Sequence, residues 1–389
     1  MNLSELHRLF IERFGRTPAL VVRAPGRVNL LGEHVDYNDG PVLPAAIDRA
    51  VYIAAAPSGD DCSCLHALDL GKQVDLRPSG LDVRLDAVGN PLPGWARYPA
   101  GVAWVLQQAE LPIAGVLAAY TSDIPIGSGL SSSAAVEVGF AALWQALGGW
   151  SLERLALAEL CQRAENQFVG VSCGLMDQFA SACGVEGHAL YFDTRSLEWE
   201  PAPIPPGIAL VIADSGVRRS LAHSGYNERR AACEQAVREL QAFQPRLTSL
   251  RDVATTELAA YSPYLSEIPR MRAEHVVKEI ARVSSALSAL HRGDRQALGA
   301  LMYAGHNSLR NLYEVSTPEL DILVELTRQL PGCIGARLTG AGFGGCTINL
   351  VETDHADAFI TGLRNGYQQA TGRQAQVYLC HASQGVHIL

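Results

Sequence analysis

Residues 125–135 read Pro-Ile-Gly-Ser-Gly-Leu-Ser-Ser-Ser-Ala-Ala and join a predicted strand to a predicted helix. Gly127 and Gly129 let the backbone turn tightly and approach a ligand closely. The start of the helix offers free N–H groups and the positive end of a dipole, which suit phosphate. Hydroxyls that could add donors or ligate a metal ion come from Ser131, Ser132 and Ser133. A merely serine-capped helix would need fewer of these residues, so the segment predicts a phosphate site.

A second glycine-rich segment, Gly-Ala-Gly-Phe-Gly-Gly at residues 340–345, contains the pattern G-x-G-x-x-G. In dinucleotide-binding folds that pattern opens a helix, but here a strand pattern follows at residues 346–350. The chain also has no G-x-x-x-x-G-K-[ST] loop. Because a bare turn would need fewer glycines, the segment indicates a hairpin that lies against a ligand.

Polar groups are dense in residues 26–37, which read Gly-Arg-Val-Asn-Leu-Leu-Gly-Glu-His-Val-Asp-Tyr. Arg27, Glu33, His34 and Asp36 follow a predicted strand, and such groups can bond the hydroxyls of a sugar-like ligand. A metal site built from the last three residues and a plain solvated loop are the alternatives that composition leaves open.

Two single acids occur in apolar surroundings. Asp177 is the only acid of residues 169–179, and Glu165 lies twelve residues earlier at the edge of an apolar helical stripe. Either could be an ordinary surface carboxylate. Two acids that flank one glycine-containing turn nevertheless favour a functional pair.

The elements that position these groups follow from hydrophobic periodicity. Strands are predicted at residues 19–22, 50–55, 116–120, 208–213, 337–339, 346–351 and 376–379. Helices are predicted at residues 1–10, 131–147 and 151–168, and over most of residues 226–330. The proline-rich run at residues 201–206 cannot continue a helix or a central strand. This proline-rich run, together with the chain length of 389 residues, predicts two domains, at residues 1–205 and 206–389.

The composition excludes several classes of protein. Hydrophobic residues make up 48% and charged residues 18%, which argues against disorder. A net charge of −9 without a basic run makes nucleic acid and anionic membranes poor partners. The charged N-terminal segment is unlike a signal peptide, and no apolar stretch of about 18 residues could span a bilayer. Nine scattered cysteines fit a reducing compartment, so we expect a cytoplasmic protein.

These segments together resemble those of the galactokinases. That family belongs to the small-molecule kinase superfamily, which also holds homoserine, mevalonate and phosphomevalonate kinases. Residues 26–37 resemble the galactokinase signature, residues 125–135 the superfamily phosphate loop, and residues 338–345 its third motif. Residues 226–230 and 313–321 are similar to further galactokinase segments, so the resemblance covers essentially the whole chain.

The resemblance implies an α+β fold of two domains, the first ribosomal-protein-like (S5-like) and the second ferredoxin-like. The active site would lie in the cleft between them. It further implies transfer of the γ-phosphate of ATP to the C1 hydroxyl of D-galactose, the first step of galactose catabolism. Galactose and ATP would be the small-molecule partners and Mg²⁺ the cofactor, and we expect a monomer.

Individual roles are implied by position within the family motifs. The catalytic residues would be Asp177 and Arg27. Galactose would be contacted by Glu33, His34, Asp36, Gly174, Asp177 and Tyr226. ATP would be contacted by Gly127, Ser128, Gly129, Leu130, Ser131, Ser132, Ser133, Gly340 and Gly342. Mg²⁺ would be bound by Glu165 and Ser132, with Ser133 as the second choice for the hydroxyl.

The sequence departs from the family pattern at three positions. Val35 stands where many relatives have threonine, Pro41 where an aromatic residue is common, and Asn311 where aspartate is usual. The first two border the sugar segment, so a kinase for N-acetylgalactosamine, arabinose or galacturonate stays open. A galactose- and ATP-binding regulator without catalysis is the other alternative, but the intact phosphate loop and Asp177 favour a catalyst.

Overall fold

The computed structural model describes residues 3–218 and 222–389. Its strands are β1 (Leu20–Asn29), β2 (Pro41–Val42), β3 (Pro44–Pro57), β4 (Ser63–Ala67), β5 (Lys72–Leu76), β6 (Val116–Ser122), β7 (His188–Asp193), β8 (Trp199–Pro203), β9 (Ile208–Asp214), β10 (Cys333–Thr339), β11 (Cys346–Glu352), β12 (Gln376–Cys380) and β13 (His387–Ile388). Its α-helices are α1 (Leu3–Phe14), α2 (Pro78–Leu81), α3 (Arg97–Gln108), α4 (Ser132–Gly148), α5 (Arg154–Arg163), α6 (Met176–Cys183), α7 (Ala222–Gln241), α8 (Leu258–Tyr261), α9 (Glu267–Arg292), α10 (Arg295–Ser308), α11 (Pro318–Thr327) and α12 (Ala356–Thr371). These helices and largely antiparallel sheets confirm the expected α+β class.

A six-stranded sheet forms the first domain, in the order β13-β1-β3-β6-β4-β5, with β4 and β6 parallel and the other neighbours antiparallel. Strand β1 runs well beyond the predicted residues 19–22. Its register shifts between Pro25 and Arg27, a bulge that accommodates a proline and re-aims the side chain that follows. A side chain at Gly26 would lie 2.7 Å from the Leu130 carbonyl oxygen, so only glycine lets β1 approach the phosphate loop this closely.

Helix α4 packs against β1 and β3 and carries the phosphate loop at its start. The predicted helix at 131–147 is confirmed, with its start one residue later because Ser131 has a left-handed φ of 60°. Phe140 and Trp144 are buried within its mostly apolar surface, as expected for a helix enclosed by its domain. Glu137 is the one acid of this helix and is also fully buried.

The predicted helix at residues 151–168 is two elements. Helix α5 ends at Arg163, and residues Ala164–Val169 continue it as a π-helix. A second π-helical segment, Leu309–Tyr313, follows α10. Such segments are rare and frequently occur at functional sites, and the first one carries Glu165.

The second domain contains the four-stranded antiparallel sheet β10-β11-β9-β12. Helices α11 and α12 cover it through a cluster that includes Leu323, Phe359 and Tyr367. The expected helical stretch over residues 226–330 is confirmed by α7 to α11. The proline run begins inside β8, an edge strand of the sheet β2-β7-β8, where a missing N–H is tolerated.

The final segment of the chain returns to the first domain. Strand β13 pairs with β1, and backbone hydrogen bonds join Asp48 to His381, Ser383 to Ala46, Gly385 to Gly184, Val386 to Ser181 and Leu389 to Val21. Residues 206–389 therefore include a tail that packs on the first sheet. Among the described residues, no helix has the length and apolarity needed to cross a membrane.

Candidate active site

A cavity of about 530 Å³ lies where the two domains meet, a volume typical of small-molecule sites. Residues predicted for the site that line this cavity are Arg27, Glu33, His34, Asp36, Glu165, Gly174, Asp177, Tyr226 and Gly340. They come from β1 and the turn after it, the first π-helix, the start of α6, α7 and the glycine hairpin. Segments far apart in the sequence are thus brought together.

Arg27, which is buried, and Asp177, which is partly exposed, form an ion pair beside the phosphate loop. The Arg27 Nε and Nη2 atoms donate to Asp177 Oδ1 at 2.8 and 2.7 Å, and Nη1 donates to the Gly129 carbonyl oxygen at 2.6 Å. The Ser131 hydroxyl donates to Asp177 Oδ2 at 2.5 Å. Both carboxylate oxygens are therefore fixed, and charge-assisted bonds of this kind are strong and directional.

The phosphate loop takes the shape that its glycines predict. Gly127 and Gly129 have φ values of 72° and 84°, in the left-handed region that favours glycine. The side chains of Ser128 and Leu130 are buried, and the Ser128 hydroxyl donates to the Pro125 carbonyl oxygen at 2.7 Å. The Ser128 hydroxyl therefore stabilises the turn itself, and the Leu130 side chain packs into the core.

Asp36 reaches the cavity through a gap that Gly174 leaves. A β-carbon on Gly174 would lie 1.8 Å from Asp36 Oδ2. Burial, and then the nearby charge of Asp177, raise the pKa of Asp36 to about 6. Val35 beside it is fully buried in the core, so its departure from the family pattern alters packing.

Glu33 is fastened to the glycine hairpin of the second domain. The Gly340 N–H donates to Glu33 Oε1 at 2.6 Å, the Asn29 amide donates to Oε2, and Arg337 lies 3.4 Å from Oε2. Burial raises the pKa of Glu33 to about 7, and Arg337 opposes that effect. Arg337 is held in turn by Glu279 at 2.8 Å, so a buried charge network supports the sugar segment.

Glu165 belongs to a buried acidic cluster. The Gln178 amide donates to Glu165 Oε2 at 2.6 Å and to Glu137 Oε2 at 2.9 Å. Burial and the charge of Asp177 raise the pKa of Glu165 to about 7, and burial with the charge of Glu165 raises that of Glu137. Glu137 was not predicted. Its only sequence signal is the four-residue spacing from Ser133 on one helix face.

The hydroxyl that lowers the pKa of Glu165 belongs to Ser133, although Ser132 was the preferred partner on sequence grounds. Ser133 shares with Glu137 the face of α4 that is turned to Glu165. Ser132 is offset from that face by roughly 100° around the helix axis.

The glycines of the hairpin pack closely against neighbouring segments of the second domain. A β-carbon on Gly342 would lie 2.3 Å from the Val315 carbonyl oxygen, and one on Gly344 would lie 2.6 Å from that of Val217. Gly342 is therefore required by packing whatever its contact with a ligand.

Some residues at the site escaped prediction. Arg97 and Tyr98, at the start of α3, line the cavity. Arg218 pairs with Asp214 at 2.9 Å, and its Cδ lies 3.4 Å from where a β-carbon on Gly127 would stand. Nothing in the sequence separates these residues from ordinary surface residues.

Comparison with known families matches three parts of the chain. Residues 8–57 match the galactokinase galactose-binding signature, residues 97–185 the GHMP kinases N terminal domain, and residues 286–369 the GHMP kinases C terminal domain.

Curated relatives that match over nearly their full length are galactokinases. The galactokinase of Roseiflexus sp. is 45% identical over 99% of this chain and 97% of its own length. That of Homo sapiens is 43% identical over 100% and 96%. The crystal structure of Lactococcus lactis galactokinase complexed with galactose superposes with a TM-score of 0.94 at 33% identity, over 100% of both chains. A mevalonate kinase structure, with a TM-score of 0.63 at 20% identity over 93% of this chain and 99% of its own, shares the fold.

Proposed function

The chain belongs to the galactokinase family and is an ATP-dependent sugar kinase that phosphorylates galactose, and we propose that Asp177 and Arg27 are its catalytic residues. The observation that carries the proposal is the ion pair between them at the wall of the cavity. Asp177 would receive the proton of the C1 hydroxyl or orient that hydroxyl. Arg27 would neutralise charge on the transferring phosphoryl group, whose loose transition state is stabilised mainly by positioning and electrostatics.

The pairing with Arg27 constrains Asp177. Arg27 holds its Oδ1 atom at 2.8 Å, and the Ser131 hydroxyl holds its Oδ2 atom at 2.5 Å. Alignment of the attacking oxygen is therefore a substantial part of the role that we assign to Asp177.

The sugar would be held by Glu33, His34, Asp36, Gly174, Asp177 and Tyr226. The polar side chains among them converge on one cavity and could bind sugar hydroxyls. His34 would do so by sharing the Nε2 hydrogen that meets the Ala341 carbonyl oxygen at 3.2 Å. Gly174 would act indirectly, because its missing side chain makes room for the carboxylate of Asp36.

The nucleotide would lie along the phosphate loop. Backbone N–H groups of residues 127–133 and the start of α4 favour phosphate, and the hydroxyls of Ser131, Ser132 and Ser133 add donors. The backbone of the hairpin at Gly340 and Gly342 would approach the nucleotide from the second domain.

Glu165 and a serine hydroxyl fit a Mg²⁺ ion. The groups that act on the pKa of Glu165 are another acid and three neutral side chains, so a cation beside it would restore its ionised form. Oxygen donors are those that Mg²⁺ prefers, and Ser132 or Ser133 would supply the hydroxyl. When bound, Mg²⁺ would neutralise charge on the phosphate oxygens.

We further propose that the protein works as a cytoplasmic monomer. The nine cysteines, all within the described residues, form no disulfide, as expected in a reducing compartment.

Asp177→Asn tests the central proposal. It keeps the shape of the side chain and one acceptor but removes the charge. Catalysis by a base is worth about 10²–10⁴-fold, so kcat should fall by at least about 10²-fold while galactose affinity changes much less. A folded variant, by thermal melt, that keeps more than about a tenth of the wild-type kcat would exclude Asp177 as an essential base.

A further inference from the structure

A chain of hydrogen bonds runs beside the cavity from the second domain to His34. Cys233 Sγ lies 3.2 Å from Tyr313 Oη, and Tyr313 Oη lies 2.7 Å from Tyr37 Oη. Tyr37 Oη lies 2.8 Å from His34 Nδ1. The other ring nitrogen, His34 Nε2, lies 3.2 Å from the Ala341 carbonyl oxygen in the glycine hairpin.

The direction of this chain follows from its two ends. The carbonyl of Ala341 can only accept, so His34 Nε2 carries a hydrogen, and in the neutral ring Nδ1 is then an acceptor. Tyr37 must therefore donate to His34. Its oxygen can accept the hydrogen of Tyr313, whose own oxygen can accept the thiol hydrogen of Cys233. Every donor in the chain points toward His34.

His34 depends on such support. Its φ of 63° is left-handed, a costly conformation for a residue with a side chain, and one that persists only where the surroundings hold it. The His34 ring packs 4.8 Å from the ring of Tyr313, centroid to centroid. Tyr313 is fully buried and Cys233 nearly so. Among Cys233, Tyr313, Tyr37 and His34, only His34 lines the cavity. The other three side chains can therefore affect a ligand only through His34.

We propose that Tyr313, acting through Tyr37, is a positioning residue that fixes the orientation of His34, whose tautomer the Ala341 carbonyl oxygen selects, and thereby sets the affinity for galactose. The proposal rests on the assignment of His34 to the sugar given above. Because Tyr313 belongs to the second domain and His34 to the first, the affinity for galactose then depends on the packing of the two domains.

Tyr313→Phe removes one hydroxyl and keeps the ring. Loss of one such hydrogen bond should weaken galactose binding about three- to tenfold, measured by calorimetry without nucleotide. The kcat and the KM for ATP should stay within about twofold. Tyr303→Phe is the matched control, because the Tyr303 hydroxyl also meets a cysteine, Cys333 at 3.4 Å, and Thr327 at 3.0 Å. Neither Tyr303 nor these two partners line the cavity, so the galactose Kd of Tyr303→Phe should be unchanged.

A double-mutant cycle separates the proposed relay from general loosening. Tyr37→Phe removes the last donor to His34, so adding Tyr313→Phe to it should cost little more, whereas independent effects would add. Nitrogen NMR of His34 should show the Nε2–H tautomer in the wild type and in Tyr37→Phe, with the Nδ1 resonance shifted in the variant because Nδ1 loses its hydrogen-bond donor. Equal galactose Kd values for Tyr313→Phe and Tyr303→Phe, or additive effects in the cycle, would overturn the proposal.

A further variant distinguishes failure of this proposal from failure of the assignment of His34 to the sugar, on which it rests. If His34→Ala binds galactose as the wild type does, the assignment of His34 to the sugar fails and the relay fails with it. If His34→Ala binds weakly and Tyr313→Phe binds normally, only the relay fails. Should Tyr313→Phe not fold, Tyr37→Phe alone must reproduce the loss of affinity and the shift of the His34 Nδ1 resonance.

Discussion

Gly174→Ala should displace Asp36 and weaken galactose use without disturbing the fold. The new β-carbon would lie 1.8 Å from Asp36 Oδ2 and 2.3 Å from its Cγ, whereas ordinary contact begins at 3.4 Å. The carboxylate must therefore retreat by more than an ångström. Gly174 is not among the described residues with positive φ, so alanine adds no backbone strain and the melting temperature should barely change.

The size of the effect follows from that displacement. Misplacing a group at a reacting centre by 1 Å can cost about 10²-fold, and Asp36 lines the cavity that we assign to the sugar. We therefore expect kcat/KM for galactose to fall about 10²-fold, mainly through KM, with the KM for ATP nearly constant. Steady-state kinetics with galactose varied at saturating ATP measures this.

Asp36→Ala supplies the matched background, because it removes the two nearest atoms, Oδ2 and Cγ, and leaves only the Asp36 Cβ, at 2.9 Å from the new methyl group. Within that background, Gly174→Ala should cost less than about twofold. The reasoning is wrong if Gly174→Ala alone keeps more than about a third of the wild-type kcat/KM. It is equally wrong if its cost is the same with and without Asp36.

Two further predictions concern buried acids. Burial raises the pKa of Glu33 from 4.5 to about 7, so the folded state keeps a proton that the unfolded chain has lost, and stability from this group falls as pH rises between those values. The melting temperature of Glu33→Gln relative to wild type should accordingly rise from about pH 5 to about pH 7, and a constant difference would contradict this. Glu165→Gln should raise the Mg²⁺ requirement about tenfold or more and lower kcat, with galactose binding in the absence of nucleotide unchanged. Identical Mg²⁺ titrations would mean that Glu165 is no ligand.

The family, the two-domain α+β kinase fold and the galactokinase activity were all predictable, and the comparisons confirm them. These features were predictable because the motifs that carry them are local. The phosphate loop, the sugar segment and the glycine hairpin are each continuous in sequence, so the spacing of their glycines and hydroxyls identifies them. The bond between Arg27 and Asp177 could be expected only from the resemblance, because 150 residues separate the partners.

What could not be predicted depends on contacts between distant segments. Glu137 looks like any single acid on a helix until the folded chain places Gln178 between it and Glu165. Tyr313 looks like a core aromatic until its hydroxyl meets that of Tyr37, 276 residues away in sequence. The roles of Gly340 and Gly342 toward ATP stay predictions, as does the division of the chain after residue 205.

The return of residues 381–389 to the first sheet has a consequence for biosynthesis. Strand β1 has β3 on one side and only β13 on the other, so the sheet of the first domain ends in an unpaired strand until β13 has been synthesised. At roughly 5–20 residues per second, β13 follows residue 205, the end of the first domain, only after about 10–35 s. Throughout that interval the open N–H and C=O groups of β1 can pair with another nascent chain. A chain that stops short of residue 381 keeps that exposed edge permanently.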